Sequence, residues 1–138
     1  MTQPYKVIIA GTRTFNDYEL LCEVADHMLS QRDDVEIVSG TANGADKLGE
    51  KYAKDREYKI KEFPAPWNDV EGKSPHELGY HTNGIPYWKG AGHYRNEQMA
   101  EYADAAIIFW DGKSKGARKM NELATVKGLK VKVWDYEN

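Results

Sequence analysis

In the stretch FWDGKSKGARKMNELA (109–124), two glycines, Gly112 and Gly116, stand among four cations, Lys113, Lys115, Arg118 and Lys119. An apolar run ends at Trp110, and helical spacing begins near Lys115. Cations at the start of a helix oppose its dipole, which favours negative charge there. Their presence is easiest to understand if a bound anion supplies that charge. The alternative is a solvated turn whose lysines point to water. The order of glycine, lysine and hydroxyl is not that of a P-loop. Asp111, Gly112, Lys113, Ser114 and Gly116 are therefore expected ligand contacts of another kind of cradle.

Three further segments carry comparable chemistry. In AGTRTFND, Gly11 permits close approach, while Thr12 and Arg13 offer a hydroxyl and a guanidinium to phosphate or carboxylate. A polar turn with Arg13 in water is an equal alternative. In SGTANGADKLGE (39–50), Ser39, Gly40 and Gly44 shape the entry to a helix, whose first-turn amides favour an anion. Asp46 and Glu50 lie four apart, so they share one helix face. They are the expected catalytic pair, able to bind ribose hydroxyls or activate water. The other reading makes Asp46 a dipole-favoured acid and leaves Glu50 in solvent. In AGHYRNEQMAEYAD (91–104), Arg95 and Asn96 occupy the first helical turn, within reach of a phosphate or a base edge. The rings of Trp67, Tyr80, His81, Tyr87 and Trp88 either stack on a base or form a small satellite cluster.

The elements that must position these residues follow from hydrophobic period. Strands are expected at 6–11, 35–40, 59–65, 105–110 and 129–134, and helices at 18–31, 44–58, 91–104 and 115–128. Asn16 or Asp17 caps the first helix. Strands alternating with helices imply a mostly parallel five-stranded sheet with helices on both faces, an α/β Rossmann-like three-layer sandwich. AAIIFW is apolar throughout, as a strand covered on both faces should be. Ligands of such sheets bind at the carboxyl ends of the strands, near the topological switch point. Segment 67–90 reads as a long irregular insertion in a single domain, 1–138. PHELG within it forms a short helical turn and TNGI a tight one. Loops beyond about 12–15 residues are uncommon unless functional, so a lid or subunit contact over the strand ends is expected.

Composition narrows the classes of function. Apolar residues make up 41% and charged residues 30%, which describes a globular chain. A net charge of −3 gives no global basic field, so nucleic acid is a disfavoured partner. No apolar run approaches bilayer length and no signal-peptide pattern opens the chain, which points to the cytoplasm and no membrane. The single Cys22 excludes an intramolecular disulfide, and the four histidines lack ligand spacing, so neither metal nor cofactor is expected.

Taken together, VIIAGTRTF, IVSGTANGADKLGEKYA, AGHYRNEQMAEYADAAIIFWDGKSKGA and GLKVKVW resemble, in order and spacing, the SLOG (Smf/DprA–LOG) superfamily of Rossmann-like proteins. The closest likeness is to its YspA-like branch of small bacterial and phage domains. The resemblance implies a nucleotide or nucleotide-derived ligand, possible sensing or sequestering of a signalling nucleotide, and a homo-oligomer. It carries Gly11, Thr12 and Arg13 onto the first ligand loop, and Gly40, Gly44 and Asp46 onto the second. Arg95 and Asn96 fall on the helix-borne RN pair, and Gly112, Ser114 and Gly116 on the glycine-rich phosphate loop. The LOG branch hydrolyses N-glycosidic bonds of nucleoside monophosphates with a PGGxGTxxE loop, and the DprA branch binds single-stranded DNA. Aligning the last glycine of that loop on Gly116 puts Ala117 at the threonine and Met120 at the catalytic glutamate. Glu122 is two residues late, roughly 200° around a helix, and cannot replace it. Binding is therefore the leading expectation, ahead of LOG-like hydrolysis through Asp46 or Glu50 and of DprA-like strand binding.

Overall fold

The computed structural model describes residues 3–136. Five parallel strands form one sheet: β1 (Tyr5–Gly11), β2 (Val35–Ser39), β3 (Lys59–Glu62), β6 (Ala105–Trp110) and β7 (Lys130–Asp135), in the order β3-β2-β1-β6-β7. Helices α1 (Tyr18–Leu29), α2 (Ala45–Asp55), α3 (Ala91–Tyr102) and α4 (Lys115–Val126) connect them. The remaining strands, β4 (Leu78–Tyr80) and β5 (Pro86–Trp88), pair separately and antiparallel.

The apolar runs of β1 and β6 are continuous because each strand feeds two cores. Val7 and Ile9 of β1, with Ala105, Ile107 and Phe109 of β6, pack under α1 and α2. The alternate residues, Ile8, Ala10, Ala106 and Ile108, pack under α3 and α4 with Met99 and Met120. Side chains of a strand alternate faces, so a residue on either face meets a helix layer and must be apolar. Truncating Ile8 or Ile9 to alanine costs about 2–5 kcal/mol on this basis. The outer strands differ. Lys130 and Lys132 alternate with Val131 and Val133 on β7, and β3 is only four residues long. Charged, short edges deter pairing with another sheet.

Helix entries are set locally. Asp17 caps α1, its carboxylate accepting from the Leu20 amide at 3.1 Å. Helix α2 lies unusually close to β1, because a Cβ on Gly49 would stand 2.8 Å from the Cβ of Ile9. That close approach carries Asp46 and Glu50 to the strand ends. Arg95 falls on the buried stripe of α3 with Ala91, Met99 and Ala100.

The order in which strands are added reverses between β1 and β6: β2 and β3 add on one side of β1, β7 on the far side of β6. The crevice at this switch point is the expected ligand position for an open parallel sheet. The expected irregular stretch is more ordered than its sequence pattern indicates. A single 3-10 turn at Pro75–Glu77 leads into the β4–β5 hairpin. Its turn is closed by the Gly84 amide donating to the His81 carbonyl at 2.9 Å, with Gly84 at φ 85. Three-residue strands are too short to show alternation, which is why the hairpin escapes a periodicity argument.

Candidate functional site

The strand exits converge because Thr12 bonds to all of them. Its amide donates to the Phe109 carbonyl at 2.9 Å, and its own carbonyl accepts from Phe15 at 3.1 Å and Ala45 at 3.4 Å. Its Oγ1 accepts from the Asp111 amide at 3.1 Å. Phe15 turns inward and stacks on Phe109 with ring centroids 4.7 Å apart, which leaves Arg13 projecting from the loop. Gly11 is required here, since a Cβ would lie 2.1 Å from the Phe109 carbonyl oxygen. Gly44 is required as well. It has φ 78, and a Cβ there would meet the carbonyl oxygens of Thr12 and Arg13 at 2.4 Å.

Asp46 and Arg95 form the charged centre. Asp46 is 5% exposed and accepts from the Ala42 amide at 3.2 Å. Arg95 is 8% exposed; its Nε donates to Asn96 Oδ1 at 2.8 Å and its Nη1 to the Gly40 carbonyl. Burial strips water from the Asp46 carboxylate and pushes it up to about 6, against the pull of the Ala42 amide and the Arg95 charge. Burial also lowers Arg95 from its usual value, with Asp46 opposing that shift. A guanidinium nevertheless stays charged at neutral pH. The next residue after Gly40 is held unusually: Thr41 has φ 64, which is rare for a β-branched residue.

Two cavities of about 330 Å³ flank this centre. Arg13, Gly40, Thr41, Asn43, Trp67 and Arg95 line the first, with Ala42, Pro64 and Ala65. The second lies between the β1 exit and helices α3 and α4; Arg13, Asp46, Arg95, Asn96, Asp111, Ser114, Gly116 and Met120 contribute to it, as do Gly11 and Thr12. Arg13 and Arg95 belong to both. Thr41, Ala42, Asn43, Pro64 and Ala65 were not singled out by sequence. Their only advance signal was their place between a glycine-flanked turn and a proline-ended strand.

Ser39 and Glu50 sit behind this wall. Ser39 is fully buried; its Oγ donates to Glu50 Oε2 at 2.6 Å and accepts from the Thr41 amide at 3.0 Å. Glu50 is also buried and lines neither cavity, so the face shared with Asp46 turns toward β2 instead of solvent. Of the expected carboxylate pair, only Asp46 reaches the crevice. The Ser39–Glu50 bond holds the turn that presents Gly40 and Thr41.

The cation-rich loop also differs from expectation. Its anion is built in: Asp111 Oδ1 accepts from the amides of Lys113 at 2.8 Å and Ser114 at 2.7 Å. Those two bonds hold the Asp111 carboxyl below its usual range. Ser114 Oγ accepts from Ala117, capping α4. The amides expected to cradle phosphate are thus largely engaged by the loop's own side chains. Lys113 lies exposed outside both cavities, Gly112 packs near Asp135, and Arg118 pairs with Glu122 at 3.2 Å. Met120 occupies the wall of the second cavity.

Among the described residues, no three His, Cys, Asp or Glu side chains gather as a metal site requires, and no helix is long and apolar enough to cross a membrane. Residues 5–69, which carry the first two strand exits, match the profile of the YspA, cpYpsA-related SLOG family. No curated protein matches the chain significantly. Among solved structures, DNA processing protein A (DprA) from Streptococcus pneumoniae is similar, with a TM-score of 0.67 and 18% identity. The match covers 94% of this chain and 50% of that one, so this chain spans half the length of its structural neighbour. The profile over residues 5–69 is thus similar to the YspA-related SLOG family, and the sheet order agrees with the fold of that structural neighbour.

Proposed function

We propose that this protein binds a phosphorylated nucleotide or nucleotide-derived ligand in the crevice between β1 and β6, in a sensing or sequestering role. One observation carries the reading: the buried Arg95 guanidinium stands in the wall of both cavities, with Arg13 beside it. A guanidinium presents donors in a fixed fork that suits phosphate oxygens. Its nearest acid, Asp46, is itself destabilised as an anion by burial. A phosphate entering this space brings compensating charge to Arg95 and Arg13. Asp46 and Asn96, on the adjoining wall, are placed to read sugar hydroxyls or a base edge.

A nucleotide panel read by thermal shift tests this. Ligand at a hundred times its Kd stabilises the fold by about 2.7 kcal/mol, several degrees for a domain of this size. A flat response to nucleoside monophosphates, ADP-ribose and cyclic dinucleotides overturns the proposal.

A second reading, hydrolysis of a nucleotide N-glycosidic bond, draws support from Asp46, whose raised value suits proton transfer near neutral pH. It lacks a second free carboxylate in the crevice, because Asp111 is engaged by the Lys113 and Ser114 amides, Glu50 is held by Ser39, and Met120 stands at the position that the resemblance gives to the acid. Mass spectrometry at high protein concentration decides it: free base released from a nucleotide supports turnover, and none leaves binding alone.

A further inference from the structure

We infer that the concavity between Trp67 and the β4–β5 hairpin is a subsite for the aromatic base of the ligand, stacked on Trp67 and Tyr80 with its phosphate directed to Arg13. The inference rests on the phosphate-binding reading of the crevice and extends it. This third cavity has a volume of about 720 Å³ and is lined by Arg13, Trp67, Tyr80, His81, Tyr87 and Lys89, with Thr82. It shares Arg13 with both crevice cavities and Trp67 with the first, so the three adjoin.

A satellite core would bury its rings, but here two of them stay open. Tyr80 is 64% exposed and Trp67 37% exposed. Trp67 meets the hairpin only edge-on, its centroid 6.2 Å from that of Tyr87, and the closer packing falls to other residues. Tyr87 lies across Gly79, where a Cβ would come within 2.4 Å of its ring, and it contacts His81 at 4.7 Å between centroids. Trp88 packs against Tyr94, with the Lys73 ammonium 4.3 Å above its ring. Tyr80 takes part in none of these ring contacts.

The platform is also held in place. The Trp67 carbonyl accepts from the Trp88 amide at 2.8 Å, and the Lys89 amide donates to the Glu77 carbonyl at 2.9 Å. The indole edge of Trp67 lies over the start of α3, 3.4 Å from a Cβ built on Gly92. A held indole and an open phenol beside cations suit a base presented by its face, and such stacking is tolerant of base identity. A ring already in position loses little freedom on binding.

The test compares the four common nucleoside monophosphates with ribose 5-phosphate, which keeps sugar and phosphate but lacks the base. Calorimetry on the full chain should show at least one nucleotide binding about tenfold more tightly than ribose 5-phosphate, the size of effect expected from one stacked base. Tyr80→Ala, at an exposed position, should remove most of that advantage and leave ribose 5-phosphate unchanged. The nucleotide should quench tryptophan emission where ribose 5-phosphate does not, and Trp67→Phe should abolish the quench. Equal binding of all five compounds overturns the base subsite and leaves the phosphate reading standing. An equal loss for both ligand types in Tyr80→Ala also overturns it, since the hairpin would then be only structural. Absence of binding by all five overturns the phosphate reading and this inference with it.

Discussion

Asp46 and Arg95 face each other across Gly40, with so little room that a Cβ on that glycine would stand 2.7 Å from the carboxylate Oδ2 and 2.8 Å from the guanidinium Nη1. A buried acid and a buried base are thus separated by the width of one missing methyl group. Gly40 is the residue that lets the wall of the crevice be charged on both sides.

Gly40→Ala should therefore separate fold from function. Both atoms it meets are side-chain ends, so the fold adjusts at a cost of about 1–3 kcal/mol. The bond from Arg95 Nη1 to the Gly40 carbonyl is displaced in that adjustment, and phosphate-ligand affinity falls at least tenfold. Denaturation and calorimetry on the same sample check the two outcomes. Unchanged affinity overturns the assignment of Arg95.

Asp46→Asn should stabilise the protein at neutral pH. The folded-state value of Asp46 is about 6 against a reference of 3.8, so the folded state holds its proton more tightly than the unfolded chain. Stability from this group is then fully present at low pH, declines as pH rises from about 4 to about 6, and is flat above. Two pH units correspond to about 3 kcal/mol. The asparagine keeps an acceptor for the Ala42 amide without the buried charge. Urea unfolding at pH 4, 5, 6 and 7.5 should show the variant ahead at pH 7.5 and the gap closing toward pH 4.

The two arginines should behave differently. Arg13 is exposed, so Arg13→Ala leaves stability within about 0.5 kcal/mol and lowers ligand affinity about tenfold. Arg95→Ala removes a buried hydrogen bond to Gly40, a half-buried one to Asn96 and the charge opposing Asp46, so it loses affinity and about 2–3 kcal/mol of stability together. Arg95→Lys keeps the charge but not the fork, and rescues neither bond.

Asp111→Ala should lower the melting temperature without touching the core, because the amides of Lys113 and Ser114 lose their acceptor. The Asp111 carboxyl is held below its unfolded value, so its contribution is present above that value and is lost as pH falls through the lower folded one. Wild type and Asp111→Ala should converge in melting temperature at strongly acidic pH. Asp111→Asn, which retains an acceptor oxygen, should fall between them.

Much of the fold was legible because local and global signals agreed. AAIIFW announced a strand covered on both faces, and Asn16 or Asp17 before an apolar helical period announced a cap, which Asp17 supplies. The strand exits were legible through glycines whose backbone positions no other residue fits, Gly11 and Gly44 above all. Orientation was less so. Four-residue spacing places Asp46 and Glu50 on one face, but only Ser39 on the neighbouring strand decides that Glu50 turns inward. Asp111 among lysines reads as a ligand contact, and only the folded loop shows its carboxylate reaching amides two and three residues on. The hairpin was hidden because its strands are three residues long and one begins at Pro86.

Thr12 gives the crevice a kinetic property. Its amide, carbonyl and hydroxyl each hold a different segment, so the exits of β1 and β6 and the start of α2 move as one body. A ligand arriving there meets segments already tied to one another through Thr12. Its association rate should rise linearly with concentration and show no plateau, the signature of one-step capture by a site that stands ready.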